Sequence, residues 1–214
     1  YMDKKHIKKL NLSILLNAEP FGFGPAAAIA SFFPYLRKHF KTIGYIGENH
    51  TLDLQKNLSY DYIYDISNLA DRKAKMKDIF SKYDILLTAV DFSFAEEAIK
   101  SKLRVIIYDP LTWYWNKIPK IIRKADLYIA QDFFNVKDRL NKESKFFPVN
   151  YIIPPIIENK IKKKNRKCIL INLGGLQNPF LSKKHLVEYA RDMINAVKSI
   201  ISNKDKLIIA TSNA

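Results

Sequence analysis

The sequence predicts an α/β protein: a doubly wound, mostly parallel Rossmann-like sheet, followed by an incomplete second βαβ unit. Three observations carry this. Short apolar runs alternate with amphipathic stretches from Leu12 to Ile153, which calls for strands and helices in turn. There is little sign of hairpins, so successive strands are joined by right-handed crossovers and run parallel. Finally, the run Tyr151-Ile-Ile-Pro-Pro-Ile-Ile-Glu158 ends a strand in a Pro-Pro pair that cannot donate to a ladder. A lysine-rich bridge follows, and then Cys168-Ile-Leu-Ile-Asn-Leu-Gly-Gly175 opens a new strand that runs into a glycine pair. That seam predicts residues 1–158 as one domain, 159–167 as a basic linker, and 168–214 as the beginning of a second domain.

Taken in order, Leu12–Asn17 is an apolar strand and Pro25–Phe40 an amphipathic helix, with proline in its first turn. Thr42–Ile46 is a strand, Leu52–Leu58 a helix, and Tyr62–Ile66 a short strand. Arg72–Lys82 is a helix, and Asp84–Val90 is apolar enough for a strand buried on both faces. Phe94–Lys102 is a helix leading into the strand Arg104–Tyr108. Ile118–Lys124 is a short helix, Leu127–Ala130 a strand, Phe134–Leu140 a helix and Tyr151–Ile153 the closing strand. Beyond the bridge come strand Cys168–Leu173, helix Lys183–Ile201 and strand Leu207–Thr211. A three-element piece cannot cover both faces of its own sheet, so it reads as the start of something larger.

Composition narrows the classes. The 214 residues are 48% hydrophobic, enough for a packed core. No run approaches the ~20 apolar residues of a membrane span. The N-terminus lacks the apolar block of a secretory signal, and a single cysteine, Cys168, allows no internal disulfide. A cytoplasmic setting is the expectation. The net charge of +15 favours phosphate-bearing partners and leaves peripheral contact with an anionic membrane open, although the lysines are spread over helix faces. No compact motif interleaves aromatics with cations, so no specific nucleic-acid partner is expected. The four histidines show no metal spacing, and neither a G-x-S-x-G elbow nor a G-K-[ST] loop occurs.

In an open α/β sheet the ligand lies beyond the carboxyl ends of the strands, at the topological switch. After the first strand comes Asn17-Ala-Glu-Pro-Phe-Gly-Phe-Gly-Pro-Ala-Ala27. Gly22, Gly24 and Ala27 meet the G-x-G-x-x-A spacing of a dinucleotide fingerprint, with Glu48 after the second strand. Four residues separate the strand from Gly22, however, and Pro25 removes an amide donor, so an NAD(P)- or FAD-binding protein stands behind the other readings. After the fourth strand lies Asp91-Phe-Ser-Phe-Ala-Glu-Glu97, where Asp91 either enters the cleft as a base or caps the next helix, and Ser93 also suits a cap. Asp109-Pro-Leu-Thr-Trp-Tyr-Trp115 places Trp113 and Trp115 in a loop, covering a core edge or stacking on a ligand.

The order of these features resembles the N-terminal half of the GT-B glycosyltransferases. It is similar in particular to the UDP-sugar-dependent group that includes the lipid II-forming enzyme and small-molecule glycosyltransferases. Three segments carry the likeness, which spans nearly the whole chain as pattern and spacing. Glu19-Pro-Phe-Gly-Phe-Gly-Pro25 resembles the glycine-rich loop after the first strand. Tyr83–Asp91 with Ala98–Tyr108 resembles the strand–helix–strand unit. Pro154-Pro155-Ile156 with Ile169–Gly175 resembles the exit strand, linker and opening loop of the second domain. The resemblance implies sugar transfer from a nucleoside diphosphate donor, with no further cofactor, to an acceptor held by the first domain. Gly22, Phe23, Gly24, Trp113 and Trp115 would then border the acceptor, and Gly174, Gly175, Gln177 and Asn178 would face the donor phosphates. Many members place a histidine base where this chain has Phe23. Either a carboxylate, Asp91 or Glu19, then serves as the base, with Asp91 first because its strand is the more buried by pattern, or there is no side-chain base. A nucleotide-sugar hydrolase of the same fold and a noncatalytic α/β binding module remain the alternatives.

Overall fold

A computed structural model describes residues 9–20, 22–68, 71–143, 150–153, 168–172, 182–201 and 206–210. The chain divides into two compact units, Tyr1–Ile156 and Ile157–Ala214. The expected basic linker, and the Gly174–Asn178 loop with it, lies outside the described residues.

The first unit is built on seven strands: β1 (Leu10–Ala18), β2 (Phe40–Gly47), β3 (Tyr62–Asp65), β4 (Ile85–Ala89), β5 (Arg104–Asp109), β6 (Leu127–Gln131) and β7 (Asn150–Ile153). They form one sheet in the order β3-β2-β1-β4-β5-β6-β7, every neighbouring pair parallel. The order grows outward in both directions from the β1–β4 pair, so the switch in direction falls there. Between the strands run α1 (Phe23–His39), α2 (His50–Asp53), α3 (Arg72–Phe80), α4 (Phe92–Lys100), a 3₁₀ turn (Lys120–Lys124) and α5 (Val136–Glu143).

Apolar side chains alternate between the two faces of the sheet. Leu15, Leu86, Val105 and Ile107 pack on one side with Ile79 and Phe80 of α3 and Phe94 of α4. Ile14, Leu16, Ile43 and Leu87 pack on the other with Ile29 and Phe33 of α1. All five residues of β4 are buried, which is why its sequence is apolar apart from Thr88.

The element types match the sequence expectation and the ends differ where local chemistry decides. The second helix starts earlier and is shorter than Leu52–Leu58, because the Thr51 hydroxyl folds back on Glu48: Glu48 N donates to Thr51 Oγ1 (3.1 Å), which donates to Glu48 O (2.7 Å). The fourth helix starts at Phe92 because Asp91 caps it. Pro119 fixes the entry to residues 120–124, which close as 3₁₀ rather than α.

The second unit contains β8 (Cys168–Asn172), α6 (Lys183–Ile200) and β9 (Lys206–Ala210), with β8 and β9 paired in parallel. Ser182 caps α6, its hydroxyl accepting from His185 N. Ile171 is buried, whereas Leu170, Ile208 and Ile209 stay exposed.

Candidate functional site

The β1–β4 switch brings three carboxylates and one guanidinium to the carboxyl edge of the sheet. The ladder does not stop at Ala18. Glu19 N donates to Ala89 O (3.0 Å), which ties the first residue of the glycine-rich loop to the end of β4. Beneath it, Asn17 is buried and stands opposite Thr88 across the β1–β4 pair. Thr88 Oγ1 donates to Asn17 Oδ1 (2.7 Å), and Asn17 Nδ2 donates to Ile46 O (3.3 Å). A rigid polar floor therefore spans β2, β1 and β4.

Val90 carries the chain from β4 into α4 with φ 64°, in the left-handed region that a β-branched residue avoids. The turn folds Asp91 back over the helix start. Its Oδ1 accepts from Phe94 N (2.9 Å) and from Ser93 Oγ (2.8 Å), a full helix cap. Asp91 is only 4% exposed. Burial pushes its carboxyl up from the usual range, and the cap bonds and Arg72 pull against that.

Glu19 is half-buried beside it. Desolvation, followed by the charges of Asp91 and Glu48, pushes its carboxyl up to about 7, and Arg72 opposes the rise. A hydrogen bond between the Glu19 and Asp91 side chains adds to it, so in the protonated form Glu19 donates to the Asp91 carboxylate. Glu48 follows β2 and accepts both guanidinium nitrogens of Arg72, from the first turn of α3, at 3.1 Å each. Glu48 is thus spent on Arg72, which removes the acid that a dinucleotide fingerprint would offer to a ribose.

The glycine-rich loop opens the other side. Gly22 has extended backbone, and a Cβ added at Gly22 or Gly24 would meet nothing within 4 Å. Neither packing nor strain requires glycine there, so both positions leave open space over the start of α1, whose first amides have no side-chain cap. Phe23 is exposed, and its ring packs edge-on to His50 (centroids 5.0 Å). His50 Nε2 is buried with no hydrogen-bond partner among the described residues.

The tryptophan loop divides in two. Trp115 Nε1 donates to Asp109 Oδ2 (2.8 Å), and the Trp115 ring meets Phe92, next to Asp91, at 5.6 Å. Fully buried Asp109 also accepts from Tyr128 OH and Leu111 N, so it is the anchor of this loop and faces no cleft. Trp113 instead turns out to solvent.

The structure therefore places Glu19, Asp91, Phe23 and the Trp115 indole on one edge of the first unit. Asp91, the first choice of base in the sequence, has its carboxylate engaged in the cap of α4, and the Glu19 carboxyl is the one pushed up to about 7. Arg72 was not singled out in the sequence, nor was the pairing of Glu48 with it. The signal available was position, since Glu48 follows β2 and Arg72 opens the helix after β3. Among the described residues no cluster of three metal-ligating side chains exists, and no helix is long and apolar enough to cross a membrane.

No protein-family model and no curated protein matches this chain. Solved structures do. A protein described as a UDP-N-acetylglucosamine 2-epimerase from Listeria monocytogenes is similar at 16% identity and a TM-score of 0.59. That match covers 96% of this chain and 63% of the other, so the present chain spans under two thirds of that structure. MurG from Acinetobacter baumannii is similar at 9% identity and a TM-score of 0.51, over 94% of this chain and 86% of the other. The likeness is one of fold, a GT-B-like Rossmann arrangement.

Proposed function

We propose that this protein acts on a nucleotide sugar, as a glycosyltransferase whose general base is Glu19. The observation that carries the reading is the half-buried Glu19 carboxyl at the β1–β4 switch, pushed up to about 7 beside a helix-capping Asp91. A base is most effective when its proton affinity lies near the working pH. Glu19 meets that requirement through burial and two like charges, with Arg72 limiting the rise. The family resemblance and the fold shared with a 2-epimerase and MurG supply the substrate class.

In the reaction, an acceptor hydroxyl enters over Gly22 and Gly24 and gives its proton to a Glu19 carboxylate oxygen. The acceptor oxygen forms a bond to the anomeric carbon as the bond from that carbon to the diphosphate oxygen breaks. The electron pair leaves with the nucleoside diphosphate. Asp91, held by its cap bonds, supplies the charge that raises the proton affinity of Glu19, and once Glu19 has taken the acceptor's proton its carboxyl can donate to Asp91.

The test is release of UDP from UDP-N-acetylglucosamine by the full protein, with and without acceptor hydroxyls in the assay. Glu19→Gln keeps shape and neutral hydrogen bonding but cannot take a proton, so turnover should fall by about 10²–10⁴. Unchanged turnover in that variant would sink the assignment. UDP and free sugar in the absence of any acceptor would mark the hydrolase instead, with water in the acceptor's place.

A further inference from the structure

A line of aromatic rings leads away from the acid pair. Phe92 follows Asp91 directly and meets Trp115 at 5.6 Å; Trp115 meets Tyr114 at 5.6 Å, Tyr114 meets Trp113 at 5.9 Å, and Trp113 meets Phe134 at 5.0 Å. The inner end of this line is packed and the outer end is not. Trp113 is 41% exposed, Tyr114 49% and Phe134 79%. Leaving three large rings in water together is unfavourable, and such a patch marks an interaction site.

The outer rings are held in place at a cost. Phe134 and Asn135 both take positive φ, 48° and 63°, a conformation in which a bulky residue such as phenylalanine is an outlier. The surroundings enforce it. Asp132 N donates to Ile153 O, Asp132 Oδ1 accepts from Lys137 N, and Arg139 N donates to Asn135 O. Arg139 also joins the two loops, its guanidinium donating to Thr112 O (3.1 Å) and Asn116 O (3.2 Å). A strained turn that points a phenylalanine outward, clamped to a loop that points a tryptophan outward, is a preorganised surface.

We propose that Trp113, Tyr114 and Phe134 form a stacking platform for the neutral ring faces of a saccharide acceptor. The inference rests on the transferase reading for which substrate the rings face. Flat aromatic rings match the C–H faces of a pyranose, and the tyrosine hydroxyl and indole N–H add polar edges for its hydroxyls. The exposed ring set contains no aliphatic side chain such as an alkyl chain would call for. Arg139, the cation that joins the two loops, is spent on two backbone carbonyls, so no free guanidinium clamps an anion there. The line of rings also begins at the residue after Asp91, which continues the platform into the candidate site.

The chain has only two tryptophans, and both lie in this loop, so selectively excited tryptophan fluorescence reads this loop alone. Trp115 is tied to Asp109, so Trp113 is the one free to change environment. Millimolar maltotetraose or chitotetraose added to the full protein should shift the emission to shorter wavelength in a saturable way. Trp113→Ala should abolish the shift. Phe134→Gly, which removes a ring while relaxing a left-handed backbone, should weaken binding roughly threefold to tenfold with no loss of thermal stability. Phosphatidylglycerol vesicles are the control. A response to vesicles and to neither saccharide would overturn the proposal in favour of a lipid surface, and no response to any probe would also overturn it. A saccharide response retained in Glu19→Gln supports the platform whatever turnover does. Lost turnover in that variant with no saccharide response leaves Glu19 standing and removes the platform.

Discussion

Replacing Glu19 by Gln should make the protein more stable above neutrality while lowering its activity. The folded-state carboxyl stands at about 7 against an ordinary value of 4.5. Because the folded value is raised, the native chain holds a proton between these two pH values that the unfolded chain has released. Stability from this group is therefore fully present below about 4.5 and is lost as pH rises through about 7. At 1.36 kcal/mol per pKa unit the shift would amount to roughly 3 kcal/mol. Glu19 keeps some contact with solvent, which screens its neighbours, so on the order of 1–2 kcal/mol is the better expectation. Gln carries no charge to desolvate and can still donate to Asp91, so the variant escapes this loss. Thermal unfolding of the first unit can be followed through Trp113 and Trp115. For a chain of this size the variant should melt about 2–6 °C above wild type at pH 8 and level with it at pH 4.5. A difference that does not change with pH, or a variant less stable at pH 8, would refute the claim that the Glu19 charge is buried at a cost. Stability gained together with activity lost is what a strained functional group shows, and a structural one does not.

Other outcomes follow from the same geometry. Asp91→Asn should retain the α4 cap, with a stability change under about 1 kcal/mol, whereas Asp91→Ala should lose about 1–2 kcal/mol in chemical denaturation. Removing the Asp91 charge should also move the Glu19 titration, followed by carboxyl carbon resonances, to lower pH. Arg72→Gln should move that titration the opposite way, since Arg72 is the cation opposing the rise, with about 1 kcal/mol of stability change because the Arg72 side of its ion pair is nearly half exposed. Gly47→Ala should destabilise the first unit by about 1–3 kcal/mol, because a Cβ there would lie 2.6 Å from Thr51 Oγ1 and 2.7 Å from the Tyr45 ring.

The fold was legible because a parallel sheet covered on both faces leaves a plain trace in sequence. Residues 85–89 are apolar apart from Thr88 because both their faces are buried, and the helices between strands declare themselves by what they lack as much as by period. The ends of elements were less legible, since one side chain settles each: Asp91 brings the start of α4 forward from Phe94 to Phe92, and Thr51 moves α2 toward the strand before it. The site was legible as a location and only partly as chemistry. Topology alone sends Glu19 and Asp91 to one edge, because each follows a strand on either side of the switch. Topology says nothing of which carboxylate keeps a proton. That depends on Asp91 being drawn to the amides of α4, on Glu48 arriving from β2, and on Arg72 reaching Glu48 from a helix far along the chain. None of these has a periodic signature. The tryptophan loop shows the same division on a smaller scale. Two indoles one residue apart look equivalent in sequence, yet Asp109 takes the N–H of Trp115 and leaves Trp113 to solvent. A buried aspartate at the end of β5 therefore decides which of the two can meet a ligand, and its replacement by Leu would free Trp115 and blur that distinction.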